Sequence, residues 1–79
     1  MTEPQIYEKL TTIFHDVFLR DDIVLSAELS ARQVPDWDSF KQIEIIIAVE
    51  SEFGIKFGTR EMDSLKNVGD LVQLIAVKA

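Results

Sequence analysis

Residues 38–54 read DSFKQIEIIIAVESEFG, and the reading of this stretch decides the fold. Asp38 offers a side-chain oxygen to a helix start, and Gly54 supplies the residue type that ends one. Between them, Ile45, Ile46, Val49 and Phe53 fall within about 100° of a helical wheel, a core-facing stripe. The spacing predicts a helix from Ser39 to Phe53. Its apolar residues do not stop at that stripe. Phe40 and Ile47 lie nearly opposite its centre, with Ile43 at their edge, and they share the outer arc with Glu44 and Ser51. Glu50 sits nearby. A chain of 79 residues can hardly cover a helix on every side. Part of this arc is therefore expected to stay exposed as a partner-binding patch rimmed by carboxylates.

Charge gathers at the same place. Of the formal net charge of −6, four units belong to residues 36–53, where Lys41 stands against Asp36, Asp38, Glu44, Glu50 and Glu52. A solvated polar face is the other reading of such a run, and at this level both stay open.

Upstream, Thr2 and Gln5 have the spacing of a capping box, with Pro4 tolerated in the first turn. Ile6, Leu10, Ile13, Phe14, Val17 and Phe18 then recur within about 120° of arc, with Phe14 and Val17 near the centre. Glu8, Lys9, Thr12, His15 and Asp16 take the other side, which makes His15 an ordinary exposed histidine. The predicted helix runs from about residue 3 to 19 and is closed by Arg20-Asp21-Asp22. Residues 20–38 lose the period. They read as a long loop pinned by Ile23, Leu25, Leu29 and Val34, with Trp37 as a packing anchor and Pro35 holding Val34 extended. Loops of this length are usually functional.

Downstream, Thr59 is expected to cap a short helix through Leu65, with Met62 and Leu65 facing inward. Asn67, with Asp70 three residues on, caps a last helix whose stripe is Val68, Leu71, Val72 and Ile75. The expected fold class is all-α. It is a small four-helix bundle of three main helices and one short one, with the long loop between helices 1 and 2, and residues 1–79 as a single domain.

Composition removes several functions. With no cysteine there is no disulfide scaffold, thiolate metal site or thiol nucleophile, and one histidine is too few for an ordinary zinc site. The expected metal complement is none. The acidic balance argues against nucleic acid. The longest apolar run, Ile45 to Val49, is far short of a membrane span, and Met1-Thr2-Glu3-Pro4 does not read as a secretory signal. The expectation is a cytoplasmic monomer that inserts into no membrane. Nothing near Ser39 would activate its hydroxyl: there is no Gly-x-Ser-x-Gly elbow, and His15 belongs to another helix. An enzyme is not expected.

The run Trp37-Asp38-Ser39-Phe40, then Ile43-Glu44-Ile45, then Glu50-Ser51-Glu52-Phe53-Gly54-Ile55, resembles the acyl carrier protein family. The likeness covers nearly the whole chain, including the Asn67-Val68-Gly69-Asp70 start of the last helix. The family motif is Asp-Ser-Leu, here Asp38-Ser39-Phe40. The resemblance implies that Ser39 accepts a covalent 4′-phosphopantetheine arm, with Asp38 as motif residue and helix cap. A phosphodiester suits the exposed helix start, where N–H groups are free.

The implied partners are a phosphopantetheinyl transferase and acyl-transfer or synthase enzymes with basic docking patches. The partner-binding residues are then Phe40, Ile43, Glu44, Ile47 and Glu50. The implied function is to carry acyl groups as thioesters in fatty acid, polyketide or related acyl metabolism. An aminoacyl or peptidyl carrier, and an arm-less interaction module, are the alternatives. The family also implies an acyl shelter between the second and third helices, near residues otherwise read as core, among them Ile46, Phe53, Ile55 and Met62. Lys41 and Ser51 depart from the usual acidic pattern and point to a specialised carrier.

Overall fold

The computed structural model describes residues 2–79. Its elements are α1 (Glu3–Phe18), α2 (Ser39–Phe53), α3 (Thr59–Asp63) and α4 (Val68–Lys78). The four-helix, all-α expectation holds. Lys9 Nζ meets Glu52 Oε1 at 2.9 Å, while Lys41 Nζ donates to the Val17 carbonyl at 3.1 Å. The start of each helix thus lies beside the end of the other, and α1 runs antiparallel to α2. α4 packs against α1.

The α1 stripe supplies the centre of the core. Ile6, Leu10 and Phe14 are wholly buried, and they meet Ile45 and Val49 of α2 and Val68 and Ile75 of α4. Val17 is a correction. It is half-buried, at the edge of the stripe, where the end of α1 meets the loop and the first turn of α2. Phe53, placed on the α2 core face, is also half-buried, with the Lys9 ammonium 5.9 Å from its ring centre.

Helix ends follow local chemistry. Thr2 N–H donates to Gln5 Oε1 at 2.9 Å, the Gln5 half of the expected capping box. α1 stops one residue earlier than the predicted 19. Leu19 adopts a left-handed conformation at φ 54° as C-cap, and Arg20 N–H returns to the His15 carbonyl at 3.1 Å. Gly54, at φ 66°, ends α2 in the same way, with Ile55 N–H on the Glu50 carbonyl.

Leucine is strained where glycine is not, and Leu19 is 88% exposed, so its side chain packs on little. Leu19→Gly is expected to stabilise the fold by on the order of 0.5–1 kcal/mol, the relief of left-handed strain less the entropy cost of glycine. A raised urea midpoint is the expected reading; a lowered one would mean that the exposed leucine makes contacts of value.

The third helix differs from its prediction at both ends. Gly58, not Thr59, is the N-cap, and the helix ends at Asp63, leaving Leu65 outside it. Glu61 sets the start: its Oε1 accepts Gly58 N–H at 2.8 Å and pairs with Lys78 at 3.0 Å. These contacts hold the Glu61 carboxyl below its ordinary range, the Gly58 N–H first and Lys78 second.

The long connection is part of the framework. Ile23 and Val34 are buried, and Leu25 and Leu29 are half-buried against the core. Its Leu29 and Ala27 carbonyls accept the Val68 and Gly69 N–H groups at 2.9 and 3.0 Å, and Asn67 Oδ1 accepts Asp70 N–H at 2.8 Å. The start of α4 is thereby closed by the loop. His15 is a further correction. It is half-buried, with Nε2 3.1 Å from the Ile23 carbonyl, tying this loop to α1.

A side chain at residue 69 has no room. A Cβ there would stand 3.0 Å from the Ala27 carbonyl oxygen and 3.1 Å from its Cβ. Gly69→Val should therefore destabilise by about 1–3 kcal/mol through forced loop displacement. Amide exchange at Val68 should accelerate with it. Unchanged exchange would show that the loop yields without releasing α4.

Candidate functional site

The site begins where the loop becomes α2. Trp37 is half-buried at the loop end, its ring edge-on to Phe14 at 5.3 Å and to Phe18 at 6.2 Å. Its Nε1–H donates to Gln42 Oε1 at 2.7 Å. The indole thus fixes the last turn of the loop against α1 and the first turn of α2. Asp38, extended at φ −112°, follows as N-cap, its Oδ1 accepting Lys41 N–H at 2.9 Å. Its carbonyl takes Gln42 N–H at 2.9 Å. The first of these bonds satisfies an orphan donor of the helix start, and the second is the first regular bond of the helix.

Ser39 is the first helical residue and is exposed. The N–H groups of Ser39 and Phe40 meet no protein acceptor among the described residues, whereas the equivalent pair in α4 is taken by loop carbonyls. An anion bonded to the Ser39 hydroxyl would find two free donors and the positive end of the helix dipole, about half a unit charge. The side-chain cation nearest in sequence, Lys41, is turned away to the Val17 carbonyl and to Glu44 Oε2 at 3.5 Å. The site is therefore built from backbone donors, and its hydroxyl stands free to be modified. A phosphodiester fits it.

The outer arc of α2 is mostly as expected. Phe40 is 78% exposed, Ile47 60% and Ile43 56%, and Glu44 is exposed beside them. Glu50 behaves differently. It is half-buried, and its Oε2 accepts Phe57 N–H at 2.9 Å, so it braces the segment between α2 and α3. Ile55 and Phe57 of that segment and Ile46 of α2 are buried, while Met62 and Leu65 pack half-buried against the core. Gln42 is the residue that sequence reading passed over. No local signal marks it, because its bond depends on where the loop delivers Trp37.

Among the described residues no group of three or more acidic or histidine side chains converges as a metal site would. No helix there is long and apolar enough to cross a membrane.

Comparison with known proteins covers most of the chain. A family model described as a phosphopantetheine attachment site matches residues 8–75. An acyl carrier protein of Petrotoga mobilis is 30% identical over 78 residues, covering 99% of this chain and 92% of its own. One from Thermosynechococcus vestitus is 32% identical over 75 residues, covering 95% and 93%. The solution structure of a holo acyl carrier protein from Geobacter metallireducens superposes with a TM-score of 0.87. It is 43% identical and covers 91% of this chain and 83% of that one.

Proposed function

The chain belongs to the acyl carrier protein family, and on that premise we propose that Ser39 carries its covalent 4′-phosphopantetheine. Members of the family are carriers and not catalysts, in keeping with a serine that has no base beside it. When attached, the group supplies a terminal thiol, and with it the thioester chemistry that a chain without cysteine lacks. The chain's own contribution is positional. Asp38 and Trp37 hold the first turn of α2 in place, Ser39 offers its hydroxyl, and the Ser39 and Phe40 N–H groups receive phosphodiester oxygens. The acyl groups served are those of fatty acid, polyketide or related acyl metabolism, with residues 1–79 acting as one cytoplasmic carrier domain and as a monomer.

The observation that carries this reading is the exposed Ser39 hydroxyl beside two free N–H groups. The test is incubation with coenzyme A and a broad-specificity phosphopantetheinyl transferase. Intact mass should rise by one arm, and fragmentation should locate it on Ser39. An unmodified chain, or an arm on another serine, would overturn the assignment.

We propose in addition that Phe40, Ile43, Glu44 and Ile47 form the docking face for the transferase and for acyl-handling enzymes with basic patches. Exposed apolar groups supply contact area, and the carboxylate raises the rate of encounter. Glu50 supports this face from behind through its bond to Phe57. Glu44→Lys should leave melting nearly unchanged, since its one ion pair, with Lys41, is exposed and loose. It should slow loading, as should Ile47→Ala without any change of charge. Added salt should slow the wild type more than Glu44→Lys, because screening removes an attraction that the variant already lacks. Equal initial rates for all three would return this arc to a merely solvated face.

A further inference from the structure

An open groove of about 460 Å³ adjoins Ser39 on the loop side of α2, lined by Ala31, Trp37, Asp38, Ser39, Gln42 and Ile43. None of these residues belongs to α3, so this is a different surface from any space between α2 and α3. Three lining residues are apolar: Ala31 and Ile43, both exposed, and the half-buried indole of Trp37. Of the three polar members, Asp38, Ser39 and Gln42, the amide belongs to Gln42. Because its Oε1 accepts the Trp37 Nε1–H at 2.7 Å, its amide orientation is set. Its NH2 has no protein acceptor among the described residues and is left as a donor at the groove.

We propose that this groove seats the pantoyl segment of the arm, with Gln42 donating to the arm's first amide carbonyl. The proposal rests on attachment at Ser39, and three observations support it. Ser39 is itself a wall of the groove, so the tethered segment nearest the phosphodiester is held there at high effective concentration. The pantoyl segment is a compact dimethyl group, then a secondary hydroxyl and an amide carbonyl, and the groove offers apolar lining beside one oriented amide donor. The charged member, Asp38, precedes Ser39 in the chain and is engaged with the Lys41 N–H through Oδ1. Trp37 thus has two roles: it anchors the loop through Phe14 and Phe18, and it orients the residue that positions the arm.

The experiment compares unloaded and loaded protein by NMR, with intact mass measured on the same samples. On loading, the Trp37 indole N–H and the Gln42 side-chain NH2 resonances should shift. Nuclear Overhauser contacts should join the pantoyl methyl groups to Trp37 and Ile43. Gln42→Glu keeps an acceptor for the indole and removes the donor. It should load to the same mass and retain the indole signal while losing the methyl contacts. Ile43→Ser tests the apolar wall independently and should weaken the same contacts. Full loading by mass with unmoved Trp37 and Gln42 signals, or methyl contacts intact in Gln42→Glu, would overturn the groove and leave Ser39 attachment standing. Absence of added mass would overturn both.

Discussion

Ser39→Ala is expected to abolish loading and to leave the fold intact. The Ser39 hydroxyl oxygen is the proposed point of attachment, so the expected loss is complete and not graded. The structural role of Ser39 is small. It is exposed, and the cap of α2 is formed by Asp38, whose Oδ1 takes Lys41 N–H at 2.9 Å. Helical circular dichroism and melting should therefore match the wild type within the few tenths of a kcal/mol usual for surface changes. Asp38→Ala gives the opposite pattern. It should cost about 1 kcal/mol of stability through the lost cap and still permit some loading. Residual loading of a folded Ser39→Ala protein would assign the arm to another hydroxyl.

Phe14→Ala is expected to unfold the protein. Phe14 is wholly buried, tilted against Phe18 at 5.8 Å and edge-on to Trp37 at 5.3 Å. Removing a ring from such a site costs about 3–5 kcal/mol, and a domain of this size rarely holds a larger reserve. The damage should reach the site as well, because Trp37 loses one of its two aromatic partners at the turn that delivers Asp38 and Ser39. Circular dichroism melting and Trp37 emission report the two effects separately. Val17→Ala, at the edge of the stripe, should cost less. Wild-type melting in Phe14→Ala would mean that the first helix does not form the centre of the core.

The difference between those two α1 positions shows what a helical wheel can and cannot see. Periodicity places Phe14 and Val17 on one stripe, and they are. Which part of the stripe is covered depends on the loop, whose path through Ile23, Val34 and Trp37 has no local code. The same limit applies to the site. Asp38 as cap, Ser39 at the exposed first position and the outward Phe40 and Ile47 follow from spacing alone.

Polar side chains are less legible, because a wheel gives their bearing and not their partner. Glu50 finds the Phe57 N–H, Lys41 the Val17 carbonyl and His15 the Ile23 carbonyl. In each case a backbone group brought close by the fold draws the side chain in. At α3, Thr59 has the residue type of a cap, yet Glu61 reaches back to the Gly58 N–H and moves the start of the helix by one residue.

The packing of α4 against α1 sets the point in synthesis at which this fold can close. α1 is synthesised before α4, and isolated helices shorter than about 12–15 residues are marginal in water. Until Val68 to Ile75 have emerged, the apolar stripe of α1 lacks a large part of its cover, and Val68 and Gly69 are also the donors that fasten the long loop. A nascent chain that stops before residue 68 therefore has neither a closed core nor a fastened loop ahead of Ser39. The proposed attachment serine acquires its helical setting only after α4 has been made, so loading is expected to follow the synthesis and docking of α4.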